Sequence, residues 1–174
     1  DAPDRIETGE AIHNWATAKK GYKNRFGEKI GPEHHGIVPV PKLCGKGVLI
    51  PVRVFRRIGL YDRKRFPHYG ADEDFTMRAK KTGFQVLLNY DARVISDSSA
   101  TGIGTRHTRP ELRAFIRSLF SIRSPNNLVI KTRFALRHCP KHLLPQHLAL
   151  DFLRTCGGFA KRYLRYHIVG QRTE

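Results

Sequence analysis

Acid is scarce in this chain: 15 Asp and Glu stand against 32 Lys and Arg, a formal net charge of +17. Such a balance disfavours cationic partners and points to a polyanion, either a membrane leaflet or a nucleic acid. Cysteine is scarce too. Cys44, Cys139 and Cys156 are odd in number, widely spaced and form no C-x-x-C pair. That argues against a disulfide framework or zinc knuckle and suits a reducing compartment. No run of about 18 apolar residues occurs, so no spanning helix is expected. Nor does a basic n-region with an apolar h-region mark a signal peptide. What is present belongs to a folded protein, with 40% hydrophobic and 10% aromatic residues. At 174 residues the chain can bury one core, with or without an appendage. The opening Asp1-Ala2-Pro3-Asp4, without methionine, suggests a fragment or processed form.

The positive charge is uneven. Residues 101–174 hold 14 Lys and Arg against Glu111, Asp151 and Glu174, a net of +11, whereas residues 1–100 reach only +6. From Pro110 onward the pattern is helical. Leu112, Phe115, Ile116, Leu119 and Phe120 share one stripe, with Arg113 and Arg117 off it. Ser124-Pro125-Asn126-Asn127 breaks this helix and can cap a second, and Pro140 and Pro145 interrupt again. Leu148–Phe159 and Tyr163–Val169 predict a last helical stretch, bent at Gly157-Gly158. These apolar stripes are expected to face the protein's own core, and the competing reading lays them on anionic lipid.

The first hundred residues read differently. Ile12, Trp15 and Ala16 predict a short helix around residues 11–19, closed by Gly21. His34-His35 has no spaced partner for a metal. Ile37-Val38-Pro39-Val40-Pro41 predicts an extended edge segment, since each proline removes a ladder donor. Gly45 and Gly47 permit close backbone approach or positive φ ahead of Val48-Leu49-Ile50, a short buried strand on this reading. Residues 53–58 predict a helix with Val54, Phe55 and Ile58 on one face and Gly59 at its end. Residues 84–90 are β-prone, and 93–97 predict another strand.

Between these lies the most informative stretch, Gly70-Ala71-Asp72-Glu73-Asp74-Phe75. Three carboxylates open a helix that runs to about Thr82 and stops at Gly83. A helix N-terminus offers unpaired N–H groups and a positive dipole end, which orient acidic side chains. Carboxylates held there can act as general bases, metal ligands or caps.

Five submotifs in order resemble the second half of a family 2 glycosyltransferase. They are Gly45-Lys46-Gly47-Val48-Leu49-Ile50-Pro51; Val54-Phe55-Arg56-Arg57-Ile58-Gly59-Leu60-Tyr61-Asp62; Phe66-Pro67-His68-Tyr69-Gly70-Ala71-Asp72-Glu73-Asp74-Phe75; Arg78-Ala79 with Gly83; and Tyr90-Asp91-Ala92 with Val94. The resemblance spans roughly residues 40–103. It implies an α/β chain with a partial GT-A (Rossmann-like, mixed-sheet) fold over residues 1–104, followed by a basic amphipathic helical extension over 105–174. It also implies inverting transfer from a nucleotide-sugar donor to a glycan or lipid-linked acceptor, as in surface polysaccharide synthesis. On this resemblance Asp72 matches the base that takes the acceptor's hydroxyl proton. Ala71 stands where many members carry Glu, while Glu73 and Asp74 read as supporting residues. Gly45 and Gly47 line the sugar pocket and Tyr69 borders the acceptor.

The complete enzymes of this family use Mg²⁺ or Mn²⁺ on a D-x-D motif that ends a buried strand. Asp72-Glu73-Asp74 has the letters but opens a helix, and no other D-x-D occurs. The donor- and metal-binding half is therefore expected to be missing, and metal ligands to be mostly absent. A late metal ligand of some members has its nearest equivalent at Ser96 or Asp97, neither assigned. The expected location is cytoplasmic, peripheral on the inner membrane through residues 105–174. The rival class is a basic nucleic-acid- or membrane-binding module without catalysis. Against nucleic acid, the aromatics form no RNP-like platform and no helix-turn-helix or zinc finger is evident.

Overall fold

The computed structural model describes residues 4–95 and 109–169. The chain divides into two units, Asp1–Asn14 with Lys19–Ser98, and Trp15–Ala18 with Ser99–Glu174.

The first unit holds three ladders of two strands each, all antiparallel. Strand β1 (Arg5–Ile6) pairs with β4 (Glu28–Lys29), β2 (Ala11–Asn14) with β3 (Lys19–Tyr22), and β5 (Ile37–Pro39) with β6 (Leu87–Asn89). The mixed sheet expected of a GT-A domain is not found among the described residues. What stands is a mixture of helices and small antiparallel sheets. The helix expected around residues 11–19 is also absent. Those residues form a hairpin in which Ala11 opposes Tyr22 and Asn14 opposes Lys19. Main-chain bonds across the hairpin satisfy the groups that helical turns would have used.

Val48-Leu49-Ile50 is no buried strand either. Leu49 is 96% exposed, and Gly47 with φ 66° turns the chain just before it. Pro51, which cannot donate to a ladder, follows. Residues 93–95 form no strand, and Ser96 and Asp97 lie outside the described residues.

Two helices match the sequence pattern. Helix α1 (Val52–Ile58) ends at Gly59, whose N–H donates to the Phe55 carbonyl. Helix α2 (Ala71–Lys81) carries Asp72, Glu73 and Asp74 in its first turn and Arg78, Lys80 and Lys81 in its last, which suits the helix dipole at both ends. Its Phe75 and Ala79 meet Val54 of α1 to form the core, with Phe55, Ile58, Tyr61 and Phe84 packed around them. The Phe75 ring lies 4.9 Å from Phe55 and 4.6 Å from Tyr61, close enough to add to the area buried.

The second unit is helical: α3 (Leu112–Ser118), α4 (Leu128–His138) and α5 (Leu144–Leu164), followed by a wide π turn at Arg165–Val169. Asn127 caps α4, its side-chain oxygen accepting from the Ile130 N–H. Pro145 sits in the first turn of α5, where its missing N–H has no helical partner to lose. Gly157-Gly158 does not bend the chain out of helix, since α5 continues through both. Packing comes from Phe115 stacked on Phe159 at 4.2 Å and from the α4–α5 ion pair of Lys131 with Asp151 at 3.1 Å. Trp15 stacks on Phe134, and its carbonyl meets His147 Nδ1 at 3.0 Å. The expected inward stripe of α3 is largely outward, with Leu112, Ile116 and Phe120 all exposed.

Candidate functional site

Three successive ties bind the segment from Lys42 to Gly45 against the start of α2. Lys42 Nζ reaches Glu73 Oε1 at 2.7 Å, the Leu43 N–H donates to Thr76 Oγ1 at 3.1 Å, and the Gly45 N–H donates to the Asp72 carboxylate. Thr76 completes the joint by donating its hydroxyl to the Asp72 carbonyl at 2.9 Å. A Cβ built on Gly45 would meet the Asp72 carboxylate, the movable end of that side chain, so glycine lets the two approach without displacing it. At Gly47 the cause is double, a φ of 66° and the nearby Val94 side chain.

The clasp gives the three carboxylates different fates. Asp74 is fully buried and accepts from Arg78 Nε at 2.9 Å. Arg78 then donates to the carbonyls of Ile58 and Leu60, tying α2 to the end of α1. Glu73 is the partner of Lys42, whose ammonium is nearly enclosed. Both residues hold the fold together. Asp72 is half-buried and makes no salt bridge among the described residues. Desolvation pushes its carboxyl above the usual aspartate range; the Gly45 N–H acts downward, the Glu73 charge upward and His68 downward. Burial, and then the Asp72 charge, raise the nearby Tyr61 phenol. A carboxylate so placed is more basic than a solvated one and has no Lys or Arg partner among the described residues, which suits a proton acceptor.

A cavity of about 510 Å³ also lies in this unit, lined by Tyr22, Cys44, Lys46, Gly47, Leu49 and Tyr90 among others. Burial, then Cys44 and Glu73, push the Tyr22 phenol far up, and its side chain is hydrogen-bonded with Cys44. Of the residues singled out from sequence, Gly47 lines this cavity; Gly45, Tyr69, Ala71, Asp72, Glu73 and Asp74 do not. The structure brings Gly45, Asp72 and Glu73 together in the clasp, while Asp74 pairs with Arg78 instead. Ala71 begins α2, and Tyr69 is half-buried with its ring 4.8 Å from His68.

Sequence reasoning gave no role to Lys42, Tyr61, His68, Thr76 or Arg78. The basic residue four places after Asp74 was the one usable signal, because i,i+4 positions meet on a helix. Thr76 lies on α2 itself, four places after Asp72, and Lys42, Tyr61 and His68 come from separate loops.

The acidic segment does not fit a divalent cation. It opens a helix, as its letters in context suggested, and two of its three carboxylates are already paired with cations. Among the described residues one further donor cluster occurs, Glu28, Glu33 and His34. There His34 Nδ1 accepts from the Gly31 N–H at 2.9 Å and Nε2 is hydrogen-bonded with the Asn24 amide at 2.7 Å, so the ring works as a staple between loops. Comparison of the chain with protein-family models, curated proteins and solved structures finds no match.

Proposed function

We propose that the first unit is the acceptor side of an inverting glycosyltransferase and that Asp72 is its general base. The observation that carries the reading is the divided fate of the acidic trio: Glu73 and Asp74 are held by Lys42 and Arg78, while Asp72 keeps a basic carboxylate oriented by the Gly45 N–H. In the proposed step an acceptor hydroxyl attacks the anomeric carbon of a nucleotide sugar. The new C–O bond forms on one face as the bond to the diphosphate breaks on the other. The nucleoside diphosphate leaves with the electron pair, and the hydroxyl proton passes to Asp72. Such proton removal contributes about 10²–10⁴-fold to the rate. Mg²⁺ or Mn²⁺ would neutralise the departing diphosphate in a complete enzyme, and the acidic trio does not hold it, so no step here runs through a metal. The proposed setting is the cytoplasmic face of a membrane where surface glycans are assembled.

The donor-binding half lies outside this reading of the chain, so the 174-residue protein is expected to bind acceptor glycans without turning over nucleotide sugars. Titration with a panel of oligosaccharides, followed by backbone amide NMR, should move Gly45, Gly47 and the first turn of α2. Asp72→Asn should leave that binding within about twofold, since the amide oxygen still accepts from Gly45. Glycans that move none of these amides would overturn the acceptor role. Steady turnover of any nucleotide sugar by the isolated chain would overturn the half-enzyme reading.

A further inference from the structure

The cavity of about 510 Å³ in the first unit is separate from the clasp, since Asp72 does not line it. Ile6, Ile30, Leu43, Val48 and Leu88, each buried or half-buried, give it a branched aliphatic wall. Polar atoms reach that wall from Tyr22, His34 and Tyr90, and each is already answered. Tyr22 is hydrogen-bonded with Cys44, His34 with the Gly31 N–H and the Asn24 amide, and the Tyr90 hydroxyl with Glu10 and Asn24. An apolar guest suits such a wall better than one rich in hydroxyls, whose own donors and acceptors would go unmet. Exposure marks the mouth: Leu49, Val94 and Ile95 line the cavity yet stand open to water, and so do Arg5 and Arg93. Charge there has one sign to spare. Among the described residues Glu7 is the one acid in the lining, and Lys46 holds it at 3.1 Å. Lys42 is held by Glu73. Arg5 donates to the Gly27 carbonyl at 2.8 Å, a neutral acceptor. Neither Arg5 nor Arg93 has a carboxylate partner among the described residues.

We infer that this cavity binds a single aliphatic chain ending in one carboxylate or phosphate, the chain inward and the anionic head at the mouth with Arg5 and Arg93. The volume is that of a small-molecule site, which commonly runs about 300–1,000 Å³. Removing the chain's methylenes from water supplies the affinity, and the guanidinium groups, with N–H donors in a fork that matches either anion, supply the selection by charge. A neutral alcohol of the same length would keep the first contribution and lose the second. An alkylammonium would meet charges of its own sign. The inference does not rest on sugar transfer.

Titration of the whole chain with decanoate and with decyl phosphate, each below its micellar concentration, tests this through Cys44. That thiol lines the cavity, while half-buried Cys156 belongs to the other unit and serves as the control. Either anion, at about ten times its dissociation constant, should slow iodoacetamide at Cys44 about tenfold and leave Cys156 unchanged, read by peptide mass spectrometry. The anion that protects at lower concentration names the head group. Decanol and decyltrimethylammonium should each bind about tenfold more weakly than that anion, and Arg93→Gln should weaken the anion to a similar degree. Arg93 is exposed, so this variant should keep the wild-type circular dichroism spectrum. Ala92→Trp, at another exposed wall position, should block the mouth and abolish the effect of either anion on Cys44. Cys44 alkylation that neither anion slows overturns the inference. So does equal binding of decanol and the better anion, or an Arg93→Gln variant with wild-type affinity. Protection of Cys44 by uridine monophosphate, with none from the alkyl anions, overturns it in favour of a nucleotide.

Discussion

Helices α2 and α5 both bury an aspartate against a cation, Asp74 with Arg78 and Asp151 with Lys131, yet they turn their apolar residues in opposite directions. In α2 the aromatic payload goes inward, and Phe75 is 1% exposed at the centre of its core. In α5 Phe152 and Leu153 go outward, while a histidine, an aspartate and a threonine share the packed side with Phe159, stacked on Phe115. Helical periodicity identifies a face but says nothing about what that face meets. A face is buried by what lies opposite, and a buried polar group persists where its hydrogen bonds are all answered.

The sharpest way to break this contrast is to truncate one phenylalanine on each helix. Phe75→Ala should cost about 3–5 kcal/mol, the usual range for an enclosed aromatic, whereas Phe152→Ala should change stability by less than about 0.5 kcal/mol. Urea denaturation of the two variants measures both; equal losses would mean that α5 packs its apolar stripe in solution. Next come the buried acids. Asp74→Ala should cost about 3 kcal/mol by leaving Arg78 uncompensated beside two carbonyls, and Asp151→Ala should approach that.

Smaller effects separate Asp72 from its neighbours. Gly45→Ala should destabilise by less than about 1 kcal/mol, because the end of the Asp72 side chain can swing aside from the new methyl. Pairing it with Asp72→Ala should recover part of that loss, a coupling that a double-mutant cycle reads directly. Asp72→Asn itself should be neutral or slightly stabilising at pH 7. Folding raises this carboxyl above its ordinary 3.8, so the protonated form favours the folded state. Relative to Asp72→Asn, the wild type should therefore gain stability as pH falls through the raised value towards 3.8, and lose it as pH rises. Denaturant midpoints of both proteins across that window give the sign, and a relative loss on acidification would remove the desolvated carboxylate from the site.

Much of α1 and α2 was legible in residue order. The apolar spacing of Val54, Phe55 and Ile58, the acidic first turn of α2 and the glycines at 59 and 83 are local signals, and local hydrogen bonding obeys them. The edge character of Ile37–Val40 was legible for the same reason, because proline removes a donor wherever it stands. The hairpin at residues 11–22 was not. Its apolar residues fit helical spacing, and only the pairing with Lys19–Tyr22 chose the strand. Val48–Ile50 misled in the opposite sense, since three apolar residues in a row describe a strand only if something covers them.

The candidate site divides in the same way. Asp72, Glu73 and Asp74 as a cluster at a helix start, and glycine at 45, were written in the sequence. Which carboxylate stays unneutralised was decided by Lys42 and Arg78, cations that arrive from a loop and from the next helical turn. Sequence alone determined charge, helix start and the residue types available for chemistry, because these depend on neighbours a few bonds away. Tertiary structure alone decided which acid is desolvated and which apolar stripe of α5 remains in water, because burial and ion pairing depend on groups that meet only when distant segments pack.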